Sequence, residues 1–135
     1  MTELVLDASV VLKWFVGGAE RGREEALGLR GQYEEGGLAV VVPSLIFLEL
    51  LNVVGRRWGW HEESLAEFAG ALDDLGLDVR EPELHAVAAW VSRGLTAYDA
   101  AYVALAEQIG IELVSDDAQI LSSAAEVARP LIASA

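Results

Sequence analysis

The chain has 135 residues, of which 53% are hydrophobic, and this is enough for one domain around a single core. Its formal net charge of −13 argues against non-specific binding of nucleic acid through Lys and Arg, and it favours divalent cations, a basic partner, or both. The absence of cysteine excludes disulfides and cysteine-ligated zinc, and no apolar run approaches the roughly 20 residues that cross a bilayer. We therefore expect a cytoplasmic protein with one domain over residues 1–135 and no membrane partner.

Strand-like and helix-like segments alternate along the chain. The predicted strands are short and largely apolar: Leu4–Leu6, Leu38–Val42, Leu77–Val79, Ile111–Val114 and Val127–Leu131. The predicted helices lie between them: Ala8–Val16, Ala19–Glu35, Leu45–Trp58, His61–Leu75, Glu83–Ser92, Ala97–Ile109 and Ala118–Ala125. Gly17 and Gly18 are expected to end the first helix. This alternation predicts an α/β fold with a parallel sheet of about five strands that is covered on both faces.

The stretch from Leu95 to Asp117 contains acids at two kinds of structural boundary. Thr96 is a predicted helix N-cap, which places Asp99 at the third helical position, and Gly110 is predicted to end that helix. Asp116 and Asp117 follow the next strand. Because strand carboxyl ends and helix amino ends share one edge of a parallel sheet, these acids can meet there.

Each acid also has a simpler structural interpretation. Asp7 follows a strand and could cap the next helix, Asp99 could belong to a variant of the capping box, and Asp116 or Asp117 could cap the helix at Ala118. Glu49 is different, because it lies in a largely apolar helix where a lone carboxylate is costly. Its simpler interpretation is an ion pair, with the partners nearest by helix spacing: Arg56 and Arg57.

The acids carry more information together than singly. They come from four predicted elements that can reach one edge of the sheet, and like charges at close range repel unless a cation neutralises them. Oxygen ligands without cysteine favour Mg²⁺ or Mn²⁺ over zinc. The two histidines, His61 and His85, lack ligand spacing and are interpreted as surface or helix residues.

Four segments resemble, in family order, the motifs of PIN-domain ribonucleases, in particular the VapC toxins of prokaryotic toxin–antitoxin pairs. These segments are LDASVVLKWF at residues 6–15, VPSL at residues 42–45 leading to Glu49 and Asn52, LTAYDAAY at residues 95–102, and LVSDD at residues 113–117. The resemblance covers residues 4–131. Gly17-Gly18 departs from the proline or acidic turn expected after Trp14-Phe15.

The resemblance implies a three-layer α/β/α sandwich and an Mg²⁺- or Mn²⁺-dependent endoribonuclease that cleaves single-stranded RNA and leaves 5′-phosphate and 3′-hydroxyl ends. It also implies a homodimer and a small antitoxin that blocks the site with a basic segment. The residues carried over are the acids Asp7, Glu49, Asp99 and Asp117 and the hydroxyls Ser9 and Ser115. Asp7, Asp99 and Asp117 would hold Mg²⁺ directly or through water, and Glu49 would bind a second ion or orient the water.

The choice of Asp117 over Asp116 follows the T/S-x-D spacing of the resembled family. We expect Ser115 to cap the last helix, which puts the two aspartates at its first two positions, about 100° apart around the axis. Asp116 would then be a water-mediated ligand at the rim.

Cations and aromatic rings near the site could bind RNA. The expected phosphate contacts are Lys13, Arg56, Arg57 and Arg93. The rings that could stack on bases are Trp14, Trp58, Trp60 and Tyr98, although for Trp58 and Trp60 we favour a core or interface position.

Two other functions fit parts of the pattern. One is a flavodoxin-like phosphatase that uses Asp7 as nucleophile, and the absence of any Lys after Lys13 argues against it. The other is a PIN fold kept only for partner binding, with a silent site, and the presence of all four acids argues against that.

Overall fold

The computed structural model describes residues 1–16 and 21–132. Two sequence predictions, the helix end at Gly17 and Gly18 and the start of the next helix at Ala19, lie outside these residues. Within the described part, no helix is long and apolar enough to cross a membrane.

Five parallel strands form one sheet in the order β3-β2-β1-β4-β5. Val5 in the central strand lies opposite both Val41 and Leu113, and all three are buried because helices cover both faces. The predicted five-stranded parallel α/β fold is confirmed. The strands are β1 Thr2–Leu6, β2 Leu38–Val42, β3 Asp78–Val79, β4 Glu112–Ser115 and β5 Ala128–Pro130.

Seven α-helices are present in the described residues. They are α1 Ala8–Val11, α2 Arg23–Glu34, α3 Leu45–Asn52, α4 Glu62–Leu75, α5 Leu84–Ser92, α6 Ala97–Ile109 and α7 Ala118–Ser123. Two of the predicted helices are not α-helical throughout. After α1 the chain continues as a 3₁₀ turn over Leu12–Trp14, and after α3 it continues as a π-helix over Val53–Arg57. Single π turns of this kind are often found beside functional sites.

The strand order reverses between β1 and β4. The chain passes from β1 to β2 and β3 on one side, then crosses to β4 and β5 on the other. In open parallel sheets this reversal leaves a crevice at the carboxyl ends of the two strands, where ligands bind. Asp7 directly follows β1 and Ser115 ends β4, so the crevice opens between these two residues.

Helix α6 holds one wall of this crevice. It packs on β1 and β4 with one side and on α5 with another, and its residues 100–106 are all buried. Thr96 caps its start and Gly110, at φ 80°, ends it, as predicted. A helix surrounded in this way fixes the position of its amino end, where Asp99 lies.

Candidate active site

A cavity of about 340 Å³ lies at the crevice between β1 and β4. The four predicted acids reach it from four elements, so the structure brings them together; their chemical roles stay predictions. Its lining residues include Asp7, Ser9, Lys13, Glu49, Arg57, Trp58, Asp99, Tyr102 and Asp117.

Asp7 is held by two serine hydroxyls. Ser9 Oγ donates to Asp7 Oδ1 at 2.6 Å, and Ser115 Oγ donates to Asp7 Oδ2. Asp7 occupies the N-cap position of α1, as the simpler interpretation predicted, but capping is not its only role because both carboxylate oxygens accept from serine hydroxyls. Burial raises the pKa of Asp7 to about 6, against the opposing effect of the two hydroxyl bonds. The ionised form is therefore costly in this position without a cation.

The same hydroxyls connect two turns of the backbone. Ser9 Oγ accepts from the Asp116 N–H at 3.1 Å, and Ser115 Oγ accepts from the Asp117 N–H at 2.9 Å. The turn after β4 is thereby fixed to the turn after β1 through the carboxylate of Asp7. This network holds Asp117 next to Asp7 rather than leaving it on a free loop.

The prediction that Ser115 caps the last helix is wrong. Ser115 still belongs to β4, where it pairs with Pro130, and its hydroxyl is used by Asp7. The N-cap is Asp117, whose Oδ1 accepts from the Ile120 N–H at 3.0 Å. Asp116 therefore precedes the cap, and the expected 100° separation on a helix does not apply.

Asp116 points to a different environment from Asp117. It forms an ion pair with Lys13 at 3.1 Å and is exposed, and it does not line the acidic cavity. Gly22 lies against this pair at φ 85°, and a Cβ there would come within 3.4 Å of Asp116 Oδ2. The contact with Asp116 would be an ordinary one; the positive φ favours glycine, and a Cβ would also come within 3.1 Å of Leu131 Cδ2.

Glu49 is bound by a tyrosine and not by an arginine. The hydroxyl of Tyr102 donates to Glu49 Oε1, and over residues 1–16 and 21–132 Glu49 forms no ion pair with Arg56 or Arg57. The ion-pair interpretation is therefore wrong. Burial raises the pKa of Glu49, and the charges of Asp99 and Asp7 add to this effect. Sequence reasoning missed Tyr102, although its spacing of three from Asp99 puts both on one face of α6.

Asp99 has the position that the sequence predicted. Its backbone N–H donates to Thr96 Oγ1 at 3.1 Å, so the cap bond uses the backbone of Asp99 and leaves its carboxylate available to the cavity. Burial and the charge of Asp117 raise the pKa of Asp99. The negative charges of Asp99 and Asp117 therefore repel each other.

The predicted RNA contacts are only partly brought together. Lys13 and Arg57 line the cavity. Arg56 is exposed outside it, and Arg93 pairs with Glu126 at 3.2 Å and lies over the Trp90 ring, so neither is placed in the cavity. The sequence prediction that Arg93 contacts phosphate at this site does not fit its position, because the direction of the chain after α5 cannot be predicted from the sequence.

The aromatic residues also divide between the cavity and the core. Trp58 lines the cavity and is 40% exposed, and Tyr98 is 67% exposed beside Asp99. Trp14 is buried against Tyr33, and Trp60 packs edge-on against Phe68. The preference for a core or interface position thus fits Trp60 as a core residue, whereas for Trp58 the core is excluded and the interface position stays a prediction. His61 and His85 are exposed, as predicted.

The cavity offers carboxylate oxygens, the donor type that Mg²⁺ and Mn²⁺ prefer. In the part of the chain that the structure describes, no three acidic, histidine or cysteine side chains form a ready-made ligand set for one ion. Mg²⁺ usually keeps several waters and takes only one or two direct carboxylates. The residues therefore fit an ion that is bound largely through water.

Comparisons with known proteins agree with this fold. The PIN domain family model matches residues 4–127. The crystal structure of PAE2754 from Pyrobaculum aerophilum has a similar fold, with a TM-score of 0.64 at 24% sequence identity over 96% of this chain and 91% of that one. No curated protein matches the chain. With a match over most of its length and the same type of fold, the chain belongs to the PIN domain family.

Proposed function

We propose that this PIN domain is an Mg²⁺- or Mn²⁺-dependent endoribonuclease that cleaves single-stranded RNA. The observation that carries the proposal is the convergence of Asp7, Glu49, Asp99 and Asp117, from four separate elements, on one cavity at the point where the strand order reverses. PIN domains are generally metal-dependent nucleases, which supports the same reaction class.

Asp7, Asp99 and Asp117 would hold the ion directly or through water, and Glu49 would orient water or bind a second ion. When bound, Mg²⁺ or Mn²⁺ would neutralise charge on the phosphate and activate the attacking water. The chain's own contribution is position, because Ser9 and Ser115 fix both oxygens of Asp7.

Other residues at the cavity suit a nucleic-acid strand. Lys13 and Arg57 can contact phosphate, and the exposed ring of Trp58 offers a face on which a base can stack. A single strand presents such unpaired bases, and a duplex does not. With a net charge of −13, the protein also needs divalent ions to approach RNA.

The proposal is tested with purified protein and end-labelled single-stranded RNA in Mn²⁺ and in EDTA. We expect cleavage in Mn²⁺ only, with 5′-phosphate and 3′-hydroxyl ends, and little cleavage of a duplex of the same sequence. Glu49→Gln protein, purified in the same way, controls for contaminating nucleases and should be inactive. Cleavage that persists in EDTA, or a failure to cut any single strand in Mn²⁺, would contradict the proposal.

The rival phosphatase mechanism fits the site poorly. A nucleophilic aspartate of that kind works beside a lysine near a late strand, and the chain has no lysine after Lys13. The RNA assay described above also tests the other rival, a PIN domain with a silent site, because such a protein would not cleave RNA in Mn²⁺.

We also propose a homodimer formed through the α3 region. Leu48 on α3 is 72% exposed, and exposed apolar side chains of this kind mark interfaces. In a dimer with two-fold symmetry, the same apolar patch on each copy would be buried against the other copy. Light scattering at micromolar concentration is expected to give the dimer mass, and a stable monomer would count against it.

A further proposal is the toxin role, in which a small antitoxin blocks the cavity. Clustered carboxylates would attract Arg or Lys from a basic inhibitory segment in place of the metal. Replacing Asp7, Glu49, Asp99 and Asp117 by amides is expected to weaken the binding of such a partner. Unchanged binding by that variant would exclude this mode of inhibition.

A further inference from the structure

We infer that Tyr102 is a positioning residue that orients the Glu49 carboxylate toward the metal-binding cavity, an inference that rests on the proposed function of that site. Tyr102 would contact neither the ion nor the RNA. It would act through Glu49 alone.

The geometry gives Tyr102 one specific partner. Tyr102 is 1% exposed and belongs to the cavity wall, and its hydroxyl donates to Glu49 Oε1, 53 residues away in sequence. In the described part of the chain, the Glu49 carboxylate has no other hydrogen-bond or ion-pair partner among the contacts formed by side chains. The bond also joins α3 to α6, one turn after Asp99.

A carboxylate in this place needs a fixed donor to keep its orientation. Glu49 is half-buried and is repelled by the negative charges of Asp99 and Asp7, and this repulsion favours a movement of its carboxylate away from them. The buried Tyr102 ring cannot follow such a movement, so its hydroxyl opposes it. Removing the donors that orient metal ligands typically weakens metal affinity or activity about 10- to 100-fold.

Tyr102→Phe removes only the hydroxyl. We expect Mn²⁺ to bind this variant about tenfold more weakly than wild type, measured as free Mn²⁺ by electron paramagnetic resonance on the full chain. Tyr33→Phe is the matched control, because the Tyr33 hydroxyl donates to the Leu75 carbonyl at 2.6 Å, away from the cavity. It should bind Mn²⁺ as wild type does.

A double-mutant cycle shows whether Tyr102 acts through Glu49. In a Glu49→Gln background, Tyr102→Phe should cause no further loss of Mn²⁺ affinity, since the group that it positions has already lost its charge. A crystal structure of metal-free Tyr102→Phe should also show Glu49 turned out of its present position.

The inference is overturned if Tyr102→Phe keeps wild-type Mn²⁺ affinity, if it causes the same further loss beside Glu49→Gln, or if Mn²⁺ does not bind wild type. The failure of the proposed function looks different. Wild-type protein that binds Mn²⁺, shows the coupling between Tyr102 and Glu49, and cuts no RNA would refute the nuclease and leave the positioning role in place.

Discussion

Asp99→Asn protein is expected to melt at a higher temperature than wild type in EDTA and to lose RNA cleavage. The charge of Asp99 faces the charges of Asp117 and Glu49, so removing it relieves repulsion on the order of 1 kcal/mol, or a few degrees in melting temperature. With Mg²⁺ present the order reverses. Wild type gains about 2.7 kcal/mol at a hundredfold excess over the dissociation constant, and the variant gains much less.

If Asp99 had only a structural role, Asp99→Asn would lower the melting temperature in EDTA instead of raising it. An acid in the first turn of a helix stabilises it by roughly 0.3–1 kcal/mol, so its loss should lower the melting temperature. Glu25→Gln is the matched control, because Glu25 is an exposed acid at the third position of α2, away from the cavity. Glu25→Gln is expected to melt slightly lower. If Asp99→Asn also melts lower and keeps its activity, Asp99 only supports its helix.

The effect of Asp99→Asn in EDTA also depends on pH. The pKa of Asp7 rises from 3.8 to about 6 on folding, so Asp7 stabilises the fold at low pH and loses that contribution as the pH rises through this interval. The pKa values of Asp99 and Glu49 are also raised, so as the pH falls these carboxyl groups take up protons sooner in the folded protein than in the unfolded chain, and less repulsion remains for Asp99→Asn to relieve. The gain in melting temperature should therefore be smaller at about pH 5 than at about pH 7.

Asp117→Asn is expected to reduce cleavage at least about tenfold more than Asp116→Asn, and to weaken Mn²⁺ binding more. Asp117 lines the cavity with Asp7, whereas Asp116 is exposed and paired with Lys13. Asparagine caps helices as well as aspartate does, so Asp117→Asn keeps the bond to Ile120 and removes only the charge. Cleavage rates and Mn²⁺ titrations of the two variants check this.

Two other outcomes of this comparison have clear meanings. Equal losses in the two variants would mean that both aspartates serve the metal, which requires the Lys13 pair to open. A larger loss of cleavage and Mn²⁺ binding in Asp116→Asn would show that the fourth acid of the site is Asp116 and not Asp117. Thermal melts of both variants control for a general loss of stability.

Much of the fold could be predicted because local signals agree with the final structure. Thr96 and Gly110 bound α6 by capping chemistry that depends on a few neighbouring residues. The apolar run of β2 indicates burial on both faces, and parallel strands then place their acids at one edge. For this reason the sequence predicted which acids meet in the cavity.

The parts that failed depend on tertiary contacts. Tyr102 and Glu49 are 53 residues apart and lie on different helices, α6 and α3, so no local pattern shows that they meet. Ser115 has the chemistry of an N-cap but remains in β4, since the strand pairs with β5 one residue further than predicted. Two acids in succession at a helix start leave the cap ambiguous until the strand end is known.

Diffraction from crystals soaked in Mn²⁺ tests the central claim most directly, because anomalous scattering locates the ion without reference to activity. We predict a peak in the cavity among Asp7, Asp99 and Asp117, with waters completing its coordination, and no such peak in Asp99→Asn crystals soaked in the same way. A cavity without a peak, or Mn²⁺ bound only at acids elsewhere on the surface, would contradict the account.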